Sequence, residues 1–139
     1  MASAKEHDFR SYALLQSIPG VGRILALVIL YEIESIERFP SVQDFVSYSR
    51  LVKCIKESNG KSYGPSGKKI GNAHLKWAFS EAAVLFLKGN EPAKRYLERL
   101  SRKHGKAKAL SILAHKLGRT AYFMLKNKEA FNQKQFLNL

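Results

Sequence analysis

Apolar positions along this chain recur at helical spacing, and strand-like alternation is nearly absent. The spacing predicts a first helix over about 9–17, carrying Phe9, Tyr12, Ala13, Leu14 and Leu15, stopped by Ile18-Pro19-Gly20-Val21-Gly22. A second runs from about Arg23 to Glu34 through Ile24, Leu25, Leu27, Val28, Ile29, Leu30 and Tyr31. It is apolar nearly all round, so it is expected to be the most buried helix. Ser41 followed by Asp44 resembles a capping box and opens a short helix to about Tyr48. Periodicity then stops from 53 to 71, where Gly60, Gly64, Gly67 and Gly71 are mixed with five lysines. A structureless loop of that length inside a domain is usually functional or disordered.

Asn72 is a good N-cap. After it Leu75, Ala78, Phe79, Ala82, Leu85 and Phe86 mark one helical face that ends near Gly89. Asn90-Glu91-Pro92 opens a further helix that stops at His104-Gly105. A last long helix is expected over about Lys106 to Lys126, with a face of Leu110, Leu113, Ala114, Leu117, Ala121, Met124 and Leu125. Behind it a frayed piece holds Phe131, Phe136 and Leu137. The fold class is all-α: one small helical domain over 1–139, with a helix-hairpin-helix start and a long basic Gly/Ser/Lys loop.

Charge changes the picture more than composition does. The 139 residues are 45% apolar, enough for a core, and carry a formal net charge of +13. Residues 1–50 hold five basic and six acidic side chains, whereas 51–139 hold 19 basic and five acidic. Such asymmetry points to a polyanionic partner, bound through counterion release. No apolar run approaches the ~20 residues of a membrane span. No signal peptide opens the chain, and the lone Cys54 cannot form an internal disulfide. A cytoplasmic protein that does not enter membranes is expected.

Two segments carry candidate chemistry. The hairpin Ile18–Gly22 would bring backbone amides together at the start of the second helix, beside Arg23. There a phosphate is favoured by the helix dipole and by unpaired N–H groups. The plain alternative is a tight turn that binds nothing. The loop combines small residues with Lys56, Lys61, Lys68 and Lys69 before a helix that starts at Asn72 and carries Lys76. Lysines and backbone amides suit a phosphodiester, and a serine hydroxyl placed there could attack phosphorus. A serine in such a loop is more often a turn residue. Tyr63 and Trp77 could stack on bases or belong to the core, and His74 could be an acid–base group or a surface residue. His7, His74, His104 and His115 are too far apart in sequence to suggest a metal site. Lys94, Arg95, Arg99, Arg102, Lys103, Lys106 and Lys108 could follow a phosphate backbone, with Glu98 and Arg102 spaced for an ion pair.

In order along the chain stand Ser17–Gly22, Glu32-Ile33, Arg38-Phe39, Tyr48, Glu57-Ser58-Asn59-Gly60-Lys61 and Lys69-Ile70-Gly71-Asn72-Ala73-His74-Leu75-Lys76-Trp77-Ala78. Ala114–Leu117, Tyr122 and Met124 follow. This ordered set resembles the C-terminal domain of insertion-sequence transposases whose N-terminal half is a RuvC-like domain with four acidic residues, the bridge-RNA-guided recombinases. The resemblance implies DNA transposition and recombination, with DNA and a guide RNA as partners. It maps the serine nucleophile to Ser58, with Ser62 and Ser66 as neighbours that could take its place. It maps Gly71, Asn72, Leu75 and Lys76 to nucleic-acid contact or support of the loop, and Gly20 and Gly22 to the hairpin; with Arg23 and the loop lysines Lys56, Lys61, Lys68 and Lys69 these are the expected nucleic-acid contacts. It assigns Mg2+ to the RuvC-like domain, which this chain lacks, and no cofactor to this one. A homo-oligomer is expected of the full-length protein. A chain without the RuvC-like half should bind nucleic acid but not complete strand exchange.

Overall fold

Short polar caps and left-handed glycines divide the chain into helices. The computed structural model describes residues 2–51 and 71–138, with side chains from Phe9 onward. The elements are α1 (Ala2–Gln16), α2 (Arg23–Ile33), a 3-10 turn (Ile36–Arg38), α3 (Val42–Tyr48), α4 (Ala73–Phe86), α5 (Glu91–His104), α6 (Lys106–Asn127) and α7 (Gln133–Leu137). Every described element is helical. The N-caps are local chemistry. Ser41 accepts from the Asp44 amide at 3.2 Å and donates to its carboxylate at 3.0 Å. Asn72 and Asn90 accept from the amides of Leu75 and Ala93 at 2.9 and 3.3 Å. Gly105, at φ +89°, ends α5 and starts α6, a backbone geometry that a side chain would strain.

The long α6 is the central post, and α1, α3, α4 and α5 all pack on it. Its buried stripe is Leu113, Ala114, Leu117, Ala121, Tyr122, Met124 and Leu125, and Leu110 is half-buried. On one side Phe39, Phe45, Phe79 and Tyr122 form an aromatic cluster with neighbouring ring centroids 5.2–6.1 Å apart. The buried Tyr122 hydroxyl donates to the Phe39 carbonyl at 2.9 Å, so this polar tip carries little desolvation cost.

Four expectations are corrected. α1 begins at Ala2 rather than near residue 9. α2 is not the most buried helix: Leu25, Ala26, Ile29 and Ile33 face inward, but Ile24, Leu27 and Tyr31 are 70%, 50% and 80% exposed. The C-terminal piece is not frayed. Asn132 caps α7, and Phe136 and Leu137 are buried, with Phe136 among Phe86, Phe131 and Tyr96. Lys116 fixes this packing by donating to the Phe136 carbonyl at 2.6 Å and to the Tyr96 hydroxyl at 3.1 Å. Finally, Glu98 and Arg102 form no ion pair; Lys94 instead meets Glu91 at 3.5 Å.

Candidate nucleic-acid interface

α2 and α4 lie antiparallel, because each end of one is tied to the opposite end of the other. At the first end, Gly20 sits at φ +96° and presses on the last turn of α4. A Cβ there would lie 2.7 Å from the Leu85 carbonyl carbon and 2.8 Å from the Phe86 nitrogen. Glycine is therefore required twice over, by backbone angle and by space. Gly22, the N-cap of α2, is exposed and has an ordinary negative φ; no side chain caps the first-turn amides. Arg23 is exposed beside it. The hairpin thus presents unpaired N–H groups at the positive end of a helix dipole.

The other end of the pair closes the base of the 52–70 segment. The Asn72 amide donates to the Tyr48 carbonyl at 2.6 Å, so the chain returns beside the place it left. Leu51, the last described residue before the segment, packs onto Gly118 of α6, where a Cβ would collide with it. Gly71, at φ +100°, lies under the Arg50 side chain. The Asn72 side chain is fully engaged. Its carbonyl oxygen caps α4, while Nδ2 donates to Glu32 Oε1 at 2.8 Å and to the Tyr48 hydroxyl at 3.3 Å. Arg38 completes the cluster. Its guanidinium donates to the Ile33 carbonyl at 2.7 Å and lies 5.1 Å from the Tyr48 ring centroid. The hydrogen bond from Asn72, and then the guanidinium beside it, hold the Tyr48 phenol below its ordinary value of 10.0.

Among the expected contact residues, the structure therefore separates two groups. Gly20, Gly22 and Arg23 stand at one end of the α2–α4 pair. Asn72 and Lys76 stand at the other, about 15 Å away along α2 from Gly22 to Glu32 at 1.5 Å per residue. Lys76 is exposed and reaches the Arg50 carbonyl at 3.4 Å. Asn72 serves as a clamp, with no side-chain hydrogen left to donate elsewhere. Ser58, Ser62, Ser66, Lys56, Lys61, Lys68, Lys69, Tyr63 and Cys54 lie outside the described residues. His74 is exposed on α4. Trp77 is 50% exposed and off the buried face.

Sequence reading missed Glu32 and Tyr48 as parts of the clamp, although both stood among the residues of the ordered resemblance. It also missed the exposed apolar side chains of Ile24, Leu27 and Tyr31 on α2 and of Trp77 and Val84 on α4. A second apolar stripe opposite Leu25, Ile29 and Ile33 was the available signal. Among the described residues no cluster of three or more His, Cys, Asp or Glu could hold a metal ion. No described helix is long and apolar enough to cross a membrane.

The family model of the IS116/IS110/IS902 transposases matches residues 12–98. That stretch contains both ends of the α2–α4 pair and the segment between α3 and α4. An insertion element IS110 uncharacterized 43.6 kDa protein of Streptomyces coelicolor is 29% identical over 100 residues, 72% of this chain. Those residues make up 24% of the relative, so the chain spans about a quarter of its length. No solved structure matches the chain.

Proposed function

The chain belongs to the transposase IS116/IS110/IS902 family, and on that premise we propose that it is the DNA-binding, strand-attacking domain of a transposase. The observation that carries the reading is the closed base of the 52–70 segment. Tyr48 and Asn72 join its two ends, and Glu32 and Arg38 brace the joint. A Ser/Gly/Lys stretch mounted on such a base suits a reacting phosphodiester, whose charge the lysines neutralise. Ser58 is the nucleophile of this reading. Its hydroxyl oxygen attacks phosphorus and forms a serine–phosphate ester. One bridging P–O bond breaks, and the released sugar oxygen ends with the proton that the serine gave up. The α2 N-terminus, with Gly20, Gly22 and Arg23, holds a second phosphate without reading sequence. Fifteen ångströms is about four to five base-pair steps of 3.4 Å, so one duplex reaches both ends.

The Mg2+ that the resemblance assigns to a RuvC-like domain finds no ligand set among the described residues. DNA and guide RNA are the partners of the full-length protein in this reading, and a homo-oligomer its working form. The decisive test is Ser58→Ala in a full-length transposase presented with nicked duplex. It should abolish a covalent protein–DNA adduct on a denaturing gel and leave DNA affinity within about twofold. Loss of the adduct only on Ser62→Ala or Ser66→Ala moves the nucleophile. An adduct that survives all three changes refutes attack by these serines, and a wild-type protein that binds the duplex but forms no adduct is a binding module.

A further inference from the structure

We infer that the outer face of α5 is a second nucleic-acid surface, one that grips the phosphate backbone of duplex DNA independently of sequence. The inference rests on the proposed function only for the identity of the polyanion. α5 packs through Ala93, Tyr96, Leu97 and Leu100 against α6 and α7. Its other face is polar throughout and carries Arg95, Arg99 and Arg102 at i, i+4 and i+7. That spacing puts three guanidinium groups in one row, with Cα atoms spread over about 10 Å. Lys103, Lys106 and Lys108 continue the charge across Gly105 onto α6, and all six side chains are exposed.

The row is not neutralised from within. Glu91 is taken by Lys94 at 3.5 Å, and Glu98, on the same face, lies within 4 Å of no cation among the described residues. From 91 to 108 there are seven basic and two acidic side chains, a net of +5. Most of this surface lies beyond residue 98, where the family match ends.

The chemistry of the face selects the partner. A single strand is usually held by bases stacked on aromatic rings. The one aromatic residue of α5, Tyr96, is half-buried, engaged by Lys116 and Phe136, with the Arg99 guanidinium 5.9 Å from its ring centroid, so its face is already covered. A bilayer needs apolar side chains beside the basic ones, and the outer face of α5 has none. A rigid row of arginines with neither stacking nor insertion groups fits the regular phosphates of a duplex.

The test is a salt titration of the 139-residue chain with a fluorescent duplex of arbitrary sequence. Three phosphate contacts contribute about −2.7 to the slope of log K against log salt. Joint Arg95→Gln, Arg99→Gln and Arg102→Gln should flatten the slope by about that much. Between 50 and 200 mM salt the affinity ratio should then shrink about 40-fold. Joint replacement by lysine should keep the slope, and circular dichroism should show all variants folded. An unchanged slope in the glutamine variant overturns the inference. So does a wild-type chain that binds anionic vesicles or single strands as tightly as duplex. Neither result touches the Ser58 adduct, which tests the proposed function separately.

Discussion

Replacing Asn72 tests the clamp most directly, because one side chain serves three partners. Asn72→Ala removes the α4 cap, worth about 1 kcal/mol. It also removes the 2.8 Å hydrogen bond to Glu32. Bonds to charged groups are worth about 1.5–3 kcal/mol, and partial exposure brings this one nearer 1. The expected loss is about 2 kcal/mol. Scaled by ~2.1 cal/mol/K of unfolding entropy per residue, that is about 7 °C in Tm for a chain of this length. Asn72→Asp is the sharper probe. It keeps the cap acceptor but sets a second carboxylate against Glu32, a repulsion of up to about 4 kcal/mol. Two carboxylates that close hold a proton to unusually high pH. A raised folded-state value favours folding at low pH and is lost as pH rises, so the Asp variant's deficit should be full at neutrality and shrink on acidification. Thermal melts followed by circular dichroism from pH 4 to 8 read this directly. In a Glu32→Gln background the pH dependence should vanish. A deficit independent of pH, or one that Glu32→Gln leaves intact, would refute the Glu32–Asn72 clamp.

Other expectations are equally concrete. Gly20→Ala should cost about 2–4 kcal/mol in chemical denaturation, through positive φ and collision with the α4 backbone. Gly22→Ala, with ordinary φ and nothing within 4 Å, should cost less than about 1 kcal/mol; equal costs would show that the close approach is wrong. His115 has a buried Nε2 with no hydrogen-bond partner among the described residues, and burial, then Arg119, push its pKa below 6.5. Its contribution is present above pH 6.5 and lost as pH falls through the folded value. His115→Leu should therefore flatten the acid side of the stability profile. Lys116→Met should cost about 1–2 kcal/mol and expose the amides of α7 to hydrogen exchange before the rest of the fold.

What could be read from sequence was local. Ser41, Asn72, Asn90 and Gly105 bound their helices because caps and left-handed turns involve neighbours in the chain. The face of α6 was legible because its apolar stripe has one period and one direction. α2 defeated the same logic: with apolar residues all round, periodicity could not say which side the partners would cover. α7 was invisible for a different reason. Five residues are too few to show a period, and its anchor, Lys116, lies 20 residues upstream of the carbonyl it holds. Tyr48 and Asn72 stood in the resemblance as separate marks. Only the fold joins them to Glu32, 40 residues before Asn72.

Three of the six acidic residues of the first half have partners within the chain. Glu32 is bonded to Asn72, Glu37 pairs with Lys126 at 3.2 Å, and Asp44 is bonded to Ser41. Each of these carboxylates has a partner within the chain, but only Glu37 meets a cation. Among the described residues, the cations so matched are Lys94 and Lys126 alone. Glu37 and Asp44 stay exposed, so their charge still counts in the outward field, and the positive excess comes from the second half of the chain. The surface is also divided. Apolar side chains stand exposed on α2 and α4, while the outer face of α5 is basic except for Glu98. A duplex lying over Ile24, Leu27 and Tyr31 would bury apolar side chains against phosphate, an unfavourable pairing. In the proposed reading a duplex that reaches both the hairpin and the segment base therefore runs along an edge of the pair rather than over these apolar side chains.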